Sequence, residues 1–449
     1  MSQQPYSIVQ ASLSSAKFLD KDDTLDLTNR IIELQLYEDV DKAFITGKVA
    51  ILDDLDLVNV LKFRGTEKIT FVISNDINNT ENVIKKTFIM HRIEQVKKEN
   101  ERRQALIISL VEPHFYHNSL TKISKSYTNS VENIVKTICK DELNKDVFQI
   151  AQETSLGSIK VVIPYLRPLA ACNWLVDRAS TINGSPYFLH ASVFSEDLML
   201  RNLESMLMAP HVNRIPYKDS QIQEERPGSV APSSEFQIEA MSFADLHNTL
   251  GMTRNGAIGS MISNTNIGTG TIQSQKFMIA SILEKYKKKN IITTYQNVYE
   301  EFNKIEIGDK VNLDYAYNSE NFHTLNSSGT YENQKGYYDD VDDVNLVKRV
   351  ETQARRLALL KNTIDIFVPG AFLFANTVGV GQKVKTQFLN SKINNNDGNE
   401  FDQDRSGDYI ILKAKHVFTT GTLKSALTLG RVSSSRELPN IDQYDASLG

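Results

Sequence analysis

Cysteine is almost absent: Cys139 and Cys172 are the only two in 449 residues. Each falls on an apolar helical stripe, so the pair reads as reduced core thiols and not as the disulfide of a secreted scaffold. No apolar run reaches the roughly 18 residues that span a bilayer. Met1 to Gln10 has no basic patch leading into an apolar stretch, the form of a secretory signal. The expectation is a protein that folds where it is made, without stable membrane insertion. An excess of positive charge is also missing. Lys and Arg number 50 against 55 Asp and Glu, a net charge of −5, whereas a chain that grips nucleic acid needs clustered cations to neutralise phosphates. The strongest basic cluster, Lys287-Lys288-Lys289, ends an expected helix and complements its negative terminus.

The usual signatures of chemistry are lacking too. The eight histidines form no His-Glu-x-x-His helix and no Cys/His grid, which argues against zinc. There is no Gly-x-Ser-x-Gly elbow. Asp402 to Gly407 imitates the start of a calcium loop, but the twelfth position is Lys413 where a bidentate Glu is required, so an ordinary turn is expected. Gly379-Val380-Gly381-Gln382-Lys383 lacks phosphate-loop spacing and reads as a turn leading into a strand. His416 sits inside a terminal strand, in a packing or hydrogen-bonding role. The acidic pairs Asp53-Asp54 and Glu224-Glu225 fall in turns or loops, and nothing singles out a glycosidase-like pair. Tyr331, Tyr337 and Tyr338, beside the acidic stretch Asp339 to Asp343, fit a solvated loop better than a sugar site. No residue is singled out as catalytic, cofactor-binding or metal-ligating, and no cofactor is expected.

What is present is strand patterning. In the first 115 or so residues apolar side chains alternate: Ile32, Leu34 and Leu36; Ile69, Phe71 and Ile73; Leu106, Ile108 and Leu110. Lys85 to Gln95 is also strand-like. Turn-rich clusters at Asn75 to Asn79 and Lys97 to Arg103 separate the runs, and five or more strands at this spacing suggest a small barrel or sandwich. The period then becomes helical at Val131, Ile134, Val135 and Ile138, with Asn129 and Glu132 spaced as a capping box. A second helix is expected from Pro168 to about Ser180, closed by Asn183-Gly184. A β-branched and aromatic run, Tyr187 to Phe194, precedes an apolar helical stretch near Asp197 to Met208. Residues 211 to 235 read as a linker or long surface loop. Residues 251 to 275 fit either a flexible loop or a hairpin packed against another subunit. A helix is expected from Ser274 to Lys289 and another with Val347, Val350, Ala354 and Leu357 on one stripe. Thr363 to Val368 and Lys383 to Phe388 are strand-like, Pro369-Gly370 is a turn, and Asn394 to Gly407 is a polar loop. Tyr409 to Phe418 and Leu423 to Val432 form a closing hairpin around Thr420-Gly421, with a loose polar tail beyond Ser433.

Three stretches carry a family resemblance. Thr28 to Asp53 is a strand, a charged connection and a second strand. Pro168 to Phe194 is a helix followed by an aromatic strand. Gly407 to Arg431 has a Gly-x-Tyr start, a His-containing strand and a Thr-rich final strand. In their order and spacing, over about residues 6 to 432, the sequence resembles the baseplate hub protein of T-even-type contractile phages, and more distantly the tail-tube fold of hubs in related injection machines. The 251 to 275 and 391 to 407 segments look like additions to that pattern.

The resemblance implies a mainly β protein with peripheral helices and two tube-like antiparallel β-barrel domains. The first covers 1–116. The second is split between 117–205 and 345–435, around an inserted region at 206–344 that packs in part on the first barrel, with a tail at 436–449. It implies a structural, non-enzymatic subunit of the virion baseplate, assembled in the host cytoplasm as a homotrimeric ring of pseudo-sixfold symmetry. Implied partners are a central spike or tail lysozyme-like protein, tail tube or tube-initiator proteins and other baseplate proteins, with DNA passing the lumen without specific binding. A hub of a bacterial contractile injection system and a hub-associated cell-wall hydrolase are the alternatives. An appended catalytic domain or β-helix has little sequence left to occupy after the terminal hairpin.

Overall fold

The computed structural model describes residues 6–16, 23–60, 62–74, 83–98, 103–149, 158–210, 214–216, 238–243, 254, 259–266, 270–278, 306–307, 310–311, 321–326, 352, 355–356, 359, 363–388, 406–419 and 421–431. The N-terminal quarter supplies β1 (Ser7–Ser14), β2 (Leu25–Asp26), β3 (Ile31–Asp39), β4 (Thr46–Asp53), β5 (Glu67–Ser74), β6 (Ile84–Lys98) and β7 (Gln104–Val111), with a short α1 (Leu57–Val60). After α2 (Pro113–Leu120) come β8 (Ser126–Asn129), α3 (Val131–Leu143), β9 (Val147–Gln149), β10 (Ile159–Val162), α4 (Pro168–Val176), β11 (Tyr187–His190), β12 (Leu198–Asn202) and α5 (Leu203–Met208). The middle of the chain adds β13 (Arg214–Pro216), β14 (Ala240–Phe243), β15 (Gly259–Asn266), β16 (Thr271–Met278), β17 (Glu306–Ile307), β18 (Lys310–Val311) and β19 (Asn321–Asn326). The C-terminal part holds β20 (Thr363–Pro369), α6 (Ala371–Ala375), β21 (Lys383–Gln387), β22 (Gly407–Thr419) and β23 (Thr422–Gly430). The protein is mainly β with peripheral helices.

One 13-stranded sheet joins the two ends of the chain, with the order β14-β20-β23-β22-β3-β4-β7-β6-β5-β1-β2 and with β21 and β13 branching from β22. The seam is the antiparallel pair β3·β22, in which Glu33 faces Thr419, Leu36 faces His416 and Asp39 faces Lys413. Alternation explains the packing: Leu34, Leu36, Ile69, Phe71, Ile73, Leu106, Ile108 and Leu110 are all buried on the core face. A single hydrophobic cluster runs from this sheet through α3, α4 and β11 to the closing hairpin. Within it Cys139 and Cys172 are both buried and reduced, their sulfurs 3.7 Å apart.

Several local expectations change. Ile32 is 44% exposed, because the β3·β4 register shifts between Ile31 and Glu33 and the extra residue turns outward. The helix starts one residue later than the expected capping box: Ser130 is the N-cap, and Asn129 Oδ1 accepts from the Ser130 N–H at 2.8 Å and the Asn133 side-chain amide at 3.1 Å. The second helix ends at Val176, where the Ala179 N–H turns back onto the Leu175 and Val176 carbonyls. Gly184, at φ +74°, closes a separate turn. Only Tyr187–His190 of the aromatic run is strand, and Asp197 to Met208 divides into β12 and then α5, capped by the Asn202 side chain on the Ser205 N–H.

β15 and β16 pair antiparallel, with Gly270 at φ +68° just before β16. Their eight-residue register carries Ser274 to Met278 into a strand where a helix was expected, because the ladder overrides local propensity. Residues 214–216 within the expected linker form β13, parallel to β21. Residues 75–79, 287–289, 394–405 and 433–449 lie outside the described residues, as do Val347, Val350, Ala354 and Leu357. Thr352, Arg355, Arg356 and Leu359 between them are helical.

Two tests follow from this packing. Gly47 of β4 lies between β3 and β7, and a Cβ there would sit 2.7 Å from the Gln35 carbonyl oxygen and 3.1 Å from Leu36 Cδ2. Gly47→Ala should lower stability by about 1–3 kcal/mol, read from the urea midpoint. The native chain should leave both thiols unreactive to a thiol reagent, and the denatured chain should titrate both.

Candidate functional site

Where the two ends of the chain meet, alternation places polar residues on the buried face of three neighbouring strands. Glu38 follows Leu34 and Leu36 on β3, His416 lies between Ala414 and Phe418 on β22, and Ser425 lies between Leu423 and Leu427 on β23. His416 Nδ1 is 2.8 Å from Ser425 Oγ, and its Nε2 is 3.7 Å from Glu38 Oε2. The other Glu38 oxygen accepts the Val193 N–H, from the segment that follows β11. Phe374 of α6 meets the His416 ring edge-on at 5.1 Å. His190 of β11 and Arg201 of β12 complete the cluster. Arg201 donates to the Gly381 carbonyl at 2.7 Å, and a Cβ at Gly381 would press on His190 Nε2 at 2.9 Å.

Burial raises the Glu38 carboxyl, but His416, the Val193 N–H and His190 together outweigh it and hold the group below its ordinary range. Burial, then Arg201, pushes His190 down to about 4, so its ring is neutral at neutral pH. A Ser–His–Glu set resembles a nucleophilic constellation. Here, however, Glu38, His416 and Ser425 are each 2% exposed or less. A nucleophile must reach its substrate, and this one is sealed under Phe374. The arrangement holds the N-terminal sheet, the 187–202 region and the closing hairpin together.

Two further polar contacts serve the same junction. Lys86 of β6 is buried, donates to the Ser195 carbonyl, and lies 4.0 Å from Glu112 and 3.5 Å from Glu196. Glu112 also accepts the Ile45 N–H at 2.7 Å. Arg356 pairs with both Asp41, after β3, and Asp177, after α4, while its guanidinium lies 5.2 Å from the Phe188 ring centroid.

His416 has the hydrogen-bonding role its strand position predicted. Gly379 to Lys383 is a turn into β21, with Gly381 at φ +80° and its N–H on the Ile411 carbonyl. Lys413 lies mid-strand, and Ser406 bonds the Phe388 backbone. Asp53 accepts the Leu55 and Leu57 N–H groups and the Gln104 amide, a turn-holding role. Asp402 to Arg405, Glu224, Glu225, Tyr331, Tyr337, Tyr338 and Asp339 to Asp343 lie outside the described residues. Among the described residues no cluster of three or more His, Cys, Asp or Glu is placed to hold a metal, and no helix is long and apolar enough to cross a membrane.

Among the described strands, one sheet edge is open. β5 pairs with β6 only from Ile84 to Met90, while β6 continues to Lys98 against β7. Among the described strands, residues 91–98 therefore have no partner on the side away from β7, and they carry two register shifts and exposed Arg92, Lys97 and Lys98. Bulges and lysines are features that limit indiscriminate strand pairing.

The buried histidine generates a pH test. Between about pH 4 and the ordinary histidine value of 6.5, the unfolded chain binds a proton that folded His190 refuses, so stability falls as pH falls through that window. Glu38, held low, adds to the loss at still lower pH, since its contribution is present above its unfolded value and disappears on protonation. The His190 loss should be on the order of 3 kcal/mol. Urea midpoints at a series of pH values should show the slope in the parent and most of it removed in His190→Gln.

No family model matches the sequence, and no curated protein matches it. Among solved structures the chain is similar to the tail protein from Neisseria meningitidis MC58, at 11% identity and TM-score 0.52, over 95% of this chain and 97% of that one. It is also similar to the 43 kDa tail protein of prophage MuSo2 from Shewanella oneidensis, at 9% identity and TM-score 0.51, over 94% and 98%. The likeness is one of fold, and it runs nearly end to end: this chain has the mainly β architecture with peripheral helices seen in those tail proteins.

Proposed function

We propose that this chain is a structural subunit of a phage tail, the hub of a contractile baseplate. Three copies form a ring, each contributing two tube-like β-barrel domains, 1–116 and the split 117–205 with 345–435, so that six barrels surround a channel. The 206–344 region is an insertion, and the tail at 436–449 lies beyond the barrels. The ring joins a trimeric central spike to a sixfold tail tube, contacts other baseplate proteins and lets DNA pass on ejection. The subunit acts mechanically, without catalysis, and resides in the virion after assembly in the host cytoplasm.

The observation that carries this reading is the end-to-end match of fold and length to tail proteins. Three features agree with it. Both ends of the chain share one sheet, which suits a part that transmits force. The edge at 91–98 offers backbone groups to a neighbour, and a closed ring covers such edges. The net charge of −5 suits a bore that repels phosphates.

Light scattering on the full chain over a range of concentrations, alone and co-expressed with a candidate spike protein, tests the proposal. A trimer, alone or with the spike, is the expected mass. A chain that stays monomeric under both conditions would sink the ring.

A further inference from the structure

Cys139 and Cys172, far apart in sequence, meet in the fold. Cys139 lies in the last turns of α3 and Cys172 inside α4, 33 positions later, with 3.7 Å between their sulfurs. Both side chains are buried. The backbone fixes each one in place. Asn144 ends α3 in the left-handed region, at φ +52°, and the Lys145 N–H returns to the Cys139 carbonyl at 3.0 Å. Asn118 of α2 accepts the Leu169 N–H at 2.8 Å, which anchors the first turn of α4. The two helices pack directly on each other, and the sulfurs occupy their shared face.

Thiols in contact are one bond short of a disulfide, in which the sulfurs stand about 2.05 Å apart. We propose that Cys139 and Cys172 are a latent disulfide site, which closes when the folded chain meets a peroxide and then staples α3 to α4. Side-chain rotation on two helices already in contact brings the sulfurs together. Closing a loop of this length removes freedom from the unfolded chain, so the oxidised form is the more stable. The site concerns two helices of one chain and stands apart from the hub reading.

The step is slow and selective by size. The hydrogen bond with Cys139, then burial, holds the Cys172 thiol well above its ordinary value, so little thiolate is present. Access comes through the two-stranded ribbon β8·β10, whose Tyr127, Ile159 and Val161 pack on the same apolar cluster as α3 and α4. A two-stranded ribbon is marginal by itself and opens before the sheet core does. Partial opening admits a peroxide, while an aromatic thiol reagent stays out. One thiol, as its thiolate, attacks a peroxide oxygen; the O–O bond breaks, and a sulfenic acid and a water form. The other thiol attacks the sulfenic sulfur, the S–S bond forms, and the hydroxyl leaves with that thiol's proton as a second water. The two sulfurs together give up two electrons, and these reduce one peroxide to two waters.

The test treats the folded full chain with hydrogen peroxide over hours and then removes the peroxide with catalase. Free thiols are blocked with N-ethylmaleimide in urea, disulfides are reduced, and the thiols released are marked with isotopically heavy N-ethylmaleimide. Peptide mapping should put the heavy mark on both Cys139 and Cys172 in the treated chain, and the light mark on both in the untreated chain. A non-reduced digest should hold the two peptides joined, from a product of monomer mass. The treated chain should melt several degrees above the same sample after reduction, and Cys139→Ala or Cys172→Ala should remove that difference. Light marks after treatment, cysteines over-oxidised past either mark, or a dimer-sized product joined between chains overturns the proposal, as does a treated chain that melts no higher than after reduction. The mapping needs only the native chain, so it decides even where an alanine variant fails to fold.

Discussion

The structure depends on the pairing of β3 with β22. Remove that ladder and the sheet falls into an N-terminal piece and a C-terminal piece, because no other strand pair joins the two in the described sheet order. The backbone ladder alone is not selective about partner or register. Selectivity comes from the buried polar set at the seam, where Glu38, His416 and Ser425 meet only if Leu36 faces His416. A one-residue slip would send Glu38 and His416 to opposite faces of their strands and leave a carboxylate without its partners in an apolar core.

The other polar contacts repeat this logic at the periphery. Lys86, Glu112 and Ser195 fasten β6 and α2 to the segment after β11, and Arg356 fastens a C-terminal helical segment to Asp41 and Asp177. None of these groups need react with anything. Each is expensive to bury and inexpensive once paired, so together they penalise alternative arrangements of the same apolar faces.

Much of this was legible in the sequence, and the exceptions have physical causes. Strict alternation at Ile69 to Ile73 and Leu106 to Leu110 announced strands with one buried face, and the stripe at Val131 to Ile138 announced α3. Ile32 misled because a bulge is a property of two strands and appears in neither alone. Ser274 to Met278 misled because the long register of β15·β16 decides its conformation. The seam was half legible. A Glu at the inward position after Leu34 and Leu36, and a His at the inward position of β22, each signal a buried charge or dipole awaiting a partner. Nothing local says that the partner lies near the other end of the chain, and His190 joins the cluster only through the tertiary fold. The 91–98 edge was hidden for the same reason, since it exists only because β5 stops short of the end of β6.

The seam has a consequence for synthesis. Strand β3 leaves the ribosome long before its sheet neighbour β22. The N-terminal strands therefore acquire their local hairpins early, while one side of β3 keeps unsatisfied backbone groups and a stranded Glu38 until β22 has been made. During that interval β3 is a sticky border facing every other growing chain on the same message. The carboxylate that later locks the register is, in the meantime, the feature that discourages β3 from accepting the wrong neighbour.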